Sequence, residues 1–204
     1  MGLKARLWAA LMKRARRWLM LSRVHVREMQ SEAVPTELEN GVSIRSATRE
    51  DLIRAAREMP KQLDLEFVED ALARGDICLA AFHDETMVAF IWRSFTRVPH
   101  ADGLWVEVEW PYRYGYKAYT KPEFRGQGLS GWLARLGDAV CLGKGFKYGV
   151  GFVETHNYPS IKADLRVGGR KVGYAGYLKL FGKAYPFRTL GVVPHTFRFY
   201  HPTD

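Results

Sequence analysis

The chain has 204 residues, 47% of them hydrophobic and 26% charged, which suffices for one domain plus an appendage without disulfides or a structural metal. Its net charge of +9 invites a nucleic-acid reading, but residues 1–30 carry eight Lys/Arg against one acid, Glu28, and the remainder 23 against 21. The basic character is therefore assigned to an N-terminal arm, and no nucleic-acid partner is expected. Cys78 and Cys141 follow no metal or redox spacing, so both read as buried thiols in a reducing cytoplasm, and no metal site is expected.

Residues 1–27 lack helix breakers after Gly2 and repeat with a helical period. Leu3, Leu7, Leu11, Trp18 and Leu21 share one side, and Arg6, Lys13, Arg16 and Arg17 the other. The apolar run Leu7 to Met12 is too short to span a bilayer, which takes about 20 residues. The segment reads as a basic amphipathic helix with two alternative uses, beside the third reading of a disordered arm. It lies on an anionic membrane surface, which would make the protein cytoplasmic and peripheral, or it packs on its own domain or on a second subunit as a homodimer.

Residues 28–40 are polar, contain Pro35 and end in the turn signal Asn40-Gly41, and read as a linker to a domain over 41–204. A short strand is expected around Val42 to Arg45. A helix follows with Thr48 as N-cap and Asp51 at its third position, and a second helical stretch covers 61–73. Ile77 to His83 and Met87 to Phe95 flank Asp84-Glu85-Thr86 as a hairpin. Strands are expected over 104–110, where LWVEVEW alternates, and over 114–120. A helix over 127–143 follows, with Leu129, Trp132, Leu133, Leu136 and Val140 inward. A strand at KYGVGFVET, a short helix at PSIKADLRV and two closing strands complete a mixed α/β layer fold.

Where the strand ending at Thr120 leads into that helix, the chain reads KPEFRGQGLSGW. Gly126, Gly128 and Gly131 spell a dinucleotide fingerprint. Pro122 to Arg125 part the strand region from the first glycine, however, and no acid stands near 146–153 to hold a ribose. No P-loop pattern is present. What the residues do provide is a set of backbone N–H groups, 126 to 130, unpaired at a helix N-terminus and suited to a pyrophosphate. The glycines allow close approach, Arg125 adds positive charge, and Ser130 adds a hydroxyl.

The stretch Arg125-Gly126-Gln127-Gly128-Leu129 resembles the coenzyme A loop of the GNAT acyltransferase superfamily. IRSATREDL, GKGFKYGVGFVET and HNYPSIKADLRVGG resemble its opening, its next strand and the segment beyond. The resemblance covers about residues 42–197. It implies a mostly antiparallel central sheet with two splayed parallel strands flanked by helices. It also implies an acyl donor, acetyl-coenzyme A or a longer acyl-coenzyme A, held by Thr120, Arg125, Gly126, Gln127, Gly128, Leu129, Ser130 and Asn157. The reaction implied is direct attack of an amine, most simply of a small molecule, on the thioester.

The position where many members carry an acidic tyrosine is Asp164 here, expected as a solvated helix residue. Tyr119 is an alternative acid. Glu107 and Glu109 are read on one face of LWVEVEW, either as paired carboxylates or as solvated residues, and Glu109 then Glu154 are the candidate bases. Two alternatives stay open beside the small-amine acetyltransferase. One is a membrane-surface N-acyltransferase whose arm meets a bilayer or an acidic acyl carrier protein. The other is a non-catalytic acyl-thioester sensor.

Overall fold

The computed structural model describes residues 2–202 and divides into two compact units, Met1–Glu28 with Thr96–Tyr114 and Tyr148–Asp204, and Met29–Phe95 with Gly115–Lys147. In chain order the elements begin with α1 (Leu3–Ala15), β1 (Leu19–Glu28), β2 (Ser43–Ser46), α2 (Arg49–Glu58) and α3 (Leu65–Ala73). Then come β3 (Ile77–His83), β4 (Thr86–Ser94), β5 (Arg97–Pro99), β6 (Trp105–Glu107) and β7 (Tyr112–Thr120). The last are α4 (Leu129–Gly143), β8 (Tyr148–Glu154), α5 (Tyr158–Arg166), β9 (Arg170–Leu180), β10 (Lys183–Arg188) and β11 (Arg198–Tyr200).

The first unit corrects the reading of the N-terminus. The helix stops at Ala15, and Leu19–Glu28 is a strand lying between β9 and β8, antiparallel to both. Its ladder with β8 runs from Ser22↔Glu154 to Glu28↔Tyr148. The physical reason is alternation: Met20, Ser22, Val24 and Val26 are buried on one face, with two β-branched residues among them. The helix seats on Met12, which is buried, and leaves Leu7 and Leu11 of the expected apolar face exposed. Strand order in this unit is β10-β9-β1-β8-β7, and the three pairs from Tyr112↔Tyr148 to Tyr114↔Val150 are parallel. A small sheet of β11, β6 and β5 closes the unit around the rings of Phe152, Phe197 and Phe199.

The second unit orders its strands β7-β4-β3-β2. β3 is buried on both faces and so reads as a continuous apolar run. Cys78, Ala80 and Phe82 pack with α2 and α3 in one core, and Leu79 and Ala81 pack with Leu129 and Leu133 of α4 in another. Both cysteines are buried, and burial pushes the Cys78 thiol above its usual range. The β3–β4 turn is the two residues Asp84-Glu85, both at positive φ (47° and 62°), the primed geometry that matches strand twist.

The capping box expected at Thr48 is present in full. Thr48 Oγ1 accepts from the Asp51 amide at 3.2 Å, and Asp51 accepts from the Thr48 amide at 2.9 Å. Arg45 and Arg54 also bond this carboxylate, and the Arg45 hydrogen bond in particular holds its pKa down to about 2.

Candidate functional site

In the second unit, β7 ends at Thr120 and a single turn of 3-10 helix, Pro122–Phe124, leads into the glycine loop. Gly126 and Gly128 take φ of +82° and +76°, a left-handed conformation that other residues adopt only with strain. Gly128 caps α4, and its carbonyl accepts from the amides of Gly131 (2.9 Å) and Trp132 (3.3 Å). The amides of Gly126, Gln127, Gly128, Leu129 and Ser130 have no acceptor among the described residues. A Cβ added at Gly126 or Gly128 would meet nothing within 4 Å, and both residues are exposed.

The loop is braced from outside. Arg125 Nε donates to the Thr120 carbonyl at 3.1 Å, which leaves its terminal nitrogens on the exposed side of the loop. The Gln127 side chain donates to the Glu123 carbonyl at 3.4 Å and accepts from Asn40 at 2.6 Å. Asn40 was legible only as a turn residue, because a partner 87 residues away leaves no local signal. Leu129 is buried and anchors the helix, while Ser130 is exposed. Donors converging at the positive end of a 15-residue helix, with an arginine beside them, suit a pyrophosphate. Tyr119 is partly buried and packs on Phe90, ring centroids 5.8 Å apart.

The remaining candidates lie in the first unit. Glu154 ends β8, where it pairs with Arg16 at 2.9 Å and stands 3.6 Å from His156 Nδ1. Asn157 caps α5, its side-chain oxygen accepting from the Ser160 amide at 3.3 Å, and its own amide bonds the Glu154 carbonyl at 2.9 Å. Glu154, His156 and Asn157 therefore form one cluster at the strand end, joined by an arginine that sequence reasoning placed on the outer face of a longer helix.

Glu109 is elsewhere in that unit. The strand expected over 104–110 ends at Glu107, so Glu107 and Glu109 do not form a pair on one strand face. Glu107 is bound by Arg198 of β11, and Glu109 is exposed in the turn that follows, its amide donating to Thr196 Oγ1 at 3.0 Å. Asp164 is also not the solvated residue expected. Its carboxylate bonds Nδ1 of His25 on β1, a side chain that is buried. His25 had no legible signal beyond its place in an alternating stretch.

No family model matches the chain, and no curated protein does. Solved structures do. A Drosophila protein overlaps with a TM-score of 0.56 at 14% identity, over 89% of this chain and 59% of its own, so this chain spans less than two thirds of that protein. The aminoglycoside acetyltransferase AAC(6')-Iy, solved with a bisubstrate analogue containing coenzyme A, overlaps with a TM-score of 0.52 at 19% identity, over 62% of this chain and 89% of its own. An aminoglycoside 6'-N-acetyltransferase from Acinetobacter haemolyticus gives 0.51 at 18% identity, over 63% and 91%. The chain shares its fold with these aminoglycoside acetyltransferases, the GNAT-like α/β layer arrangement expected from the sequence.

Proposed function

We propose that this protein is a GNAT-family N-acyltransferase that moves an acyl group from acyl-coenzyme A, most simply acetyl-coenzyme A, to the amine of a small molecule. The observation that carries this reading is the row of unpaired amides from Gly126 to Ser130 at the N-terminus of α4, with Arg125 beside them. Thr120, Arg125, Gly126, Gln127, Gly128, Leu129 and Ser130 would hold the pyrophosphate, and Asn157 would contact the cofactor arm. The solved acetyltransferases of the same fold support the choice of donor.

In the proposed reaction the amine nitrogen attacks the thioester carbonyl, the carbon–sulfur bond breaks, and the thiolate leaves as the nitrogen loses a proton. Glu154 serves as the base, alone or through water, and Glu109 is the second candidate. Tyr119 is the candidate proton donor for the thiolate.

A second reading has one observation in its favour. Asp164, at the position expected to hold an acidic group, is engaged by His25, which supports an acyl-thioester-binding domain without turnover. Calorimetric titration with coenzyme A, followed by thiol-release assays with acetyl- and palmitoyl-coenzyme A across an amine panel, separates the two. Gly126→Val and Gly128→Val should each weaken coenzyme A binding by at least about tenfold, because a side chain at these positive-φ sites distorts the cradle. Unchanged affinity in both variants would remove the loop from the function. Tight binding with no thiol release from any pair would favour the second reading.

A further inference from the structure

Placing β1 inside the sheet changes how the charge of this protein is distributed. Residues 1–27 hold eight Lys/Arg and no acid, and residues 165–203 hold seven and no acid. In the sequence these stretches lie at opposite ends, but β1 and β9 are hydrogen-bonded neighbours. The first unit consequently contains 18 Lys/Arg and 7 Asp/Glu, and the second 13 and 15, which together account for the chain's 31 and 22. The basic surface belongs to the folded unit and not to a separate arm.

The acids that the first unit does contain are largely engaged. Asp102 pairs with Lys179 at 2.6 Å, Glu154 with Arg16 at 2.9 Å, Glu107 with Arg198, and Asp164 with His25. Lys13, Arg14, Arg17 and Lys183 have no carboxylate partner among the described residues.

Apolar side chains stand out among these cations. Phe181, at the turn between β9 and β10, is 99% exposed. Trp18, 63% exposed, lies near the same turn, its carbonyl accepting at 2.7 Å from the amide of Lys179, two residues before Phe181. Leu178 lies opposite both Leu19 and Tyr185, and Leu180 opposite Lys183, so these residues share one face of the sheet. Leu178, Leu180 and Tyr185 are all exposed on it, and Leu7 and Leu11, one turn apart on α1, are exposed as well.

We propose that α1 and the β9–β10 hairpin together form a docking surface for an anionic lipid bilayer, with Trp18, Leu180 and Phe181 entering the headgroup boundary and the surrounding lysines and arginines meeting lipid phosphates. Leucine and phenylalanine at a hairpin tip gain from leaving water for an acyl boundary, and cations beside them gain from anionic headgroups. A nucleic acid would use the same cations but offers nothing to exposed leucines. A second copy of this face would bring two strongly basic surfaces together, which repel. No helix among the described residues is long and apolar enough to cross a membrane, so the attachment is peripheral. This inference is independent of the acyltransferase reading.

The test uses the full chain and co-sedimentation with vesicles of phosphatidylcholine alone or mixed with phosphatidylglycerol, with circular dichroism as a folding control. Binding to the anionic vesicles should exceed that to neutral ones by at least about tenfold and should weaken with salt. Leu180→Ser with Phe181→Ser should reduce it by about tenfold with no change in fold, both residues being exposed. Lys13→Gln, Arg14→Gln and Arg17→Gln together should remove most of the preference for anionic vesicles. No sedimentation with either vesicle would overturn the proposal. So would binding that both variants leave intact, a dimer that Phe181→Ser dissociates, or tighter binding to duplex DNA or RNA that is insensitive to Phe181→Ser.

Discussion

His25 on β1 and Asp164 on α5 are bonded, imidazole to carboxylate, across 139 residues of sequence. The histidine is buried, and Nδ1, the nitrogen that reaches Asp164, gives the ring its one polar contact, because Nε2 has no partner. Removing the carboxylate strands a polar ring in the core.

Asp164→Ala should therefore destabilise the protein by about 1–3 kcal/mol, the cost of an unsatisfied buried polar group. The same substitution should leave amine acylation within about twofold when measured well below the melting temperature, because the carboxylate is occupied with His25 and does not serve as an acid. Urea unfolding and thiol-release kinetics on the same preparation check both halves. Lost turnover with unchanged stability would place Asp164 among the catalytic residues.

Asp51 makes a prediction of opposite locality. Its carboxylate is bound by Arg45, by Arg54 and by the Thr48 amide, and its pKa is held at about 2. A carboxyl group depressed in the fold contributes stability that is fully present above its unfolded pKa of about 4 and lost as pH falls through its folded value. The window for this group is therefore about pH 4 down to about 2. Asp51→Asn should cost about 2 kcal/mol at neutral pH and progressively less across that window, as followed by urea midpoints from pH 7 to pH 2. A constant cost at all pH values would mean that the capping geometry, and not the charge, supplies the stability.

The two sites show what the sequence carried. The Thr48 box and the Asp84-Glu85 turn were legible because every partner lies within a few residues, and the glycine loop because its glycines take positive φ at a helix start, a requirement written in the local sequence. The strand at 19–28 was not, because Leu19 and Leu21 also fit a helical stripe begun at Leu3, and only pairing with β8 and β9 decides the period. Glu107 and Glu109 were misplaced because a strand's length is set by its partners. β5 and β11 offer only three residues each, so pairing stops before Glu109. His25–Asp164, Arg16–Glu154 and Asn40–Gln127 are contacts of long sequence separation, which no local pattern encodes.

Arg125 is braced by the Thr120 carbonyl and exposed, so its removal should spare the fold and act on the ligand. Arg125→Ala should weaken coenzyme A by about tenfold, the worth of a charge-assisted bond near 1.5 kcal/mol, with stability changed by less than about 0.5 kcal/mol. Calorimetric titration of coenzyme A alongside thermal melting reads both. An affinity equal to that of the unaltered protein would take Arg125 out of the pyrophosphate site.

Gly176 lies on β9 where it runs against β1, and a Cβ there would overlap the Met20 carbonyl oxygen, a backbone atom that cannot swing aside. Gly176→Ala should cost about 3 kcal/mol or more by forcing the two strands apart. Gly143, in the last turn of α4, would meet nothing within 4 Å, and Gly143→Ala should be neutral or stabilising by up to about 1 kcal/mol. Urea titrations of the pair decide. Similar effects from both would mean that β1 and β9 are not in contact at this register.

His100 sits against the rings of Phe152, Tyr177 and Phe199, and its Nε2 is buried without a partner. Burial lowers its pKa, opposed by the nearby charge of Asp102. A histidine depressed in the fold is neutral there while the unfolded chain takes up a proton, so stability is complete above the unfolded value of about 6.5 and declines as pH falls below it. The Asp102 carboxyl, held below its ordinary range chiefly by its hydrogen bond to Lys179, stays ionised through this interval and does not mask the effect. His100→Phe keeps a ring among rings and removes the proton site. Its urea midpoint should match the unaltered protein near pH 8 and exceed it increasingly from pH 6.5 downward. Parallel curves for the two proteins would show that His100 is not the group whose protonation unfolds this core.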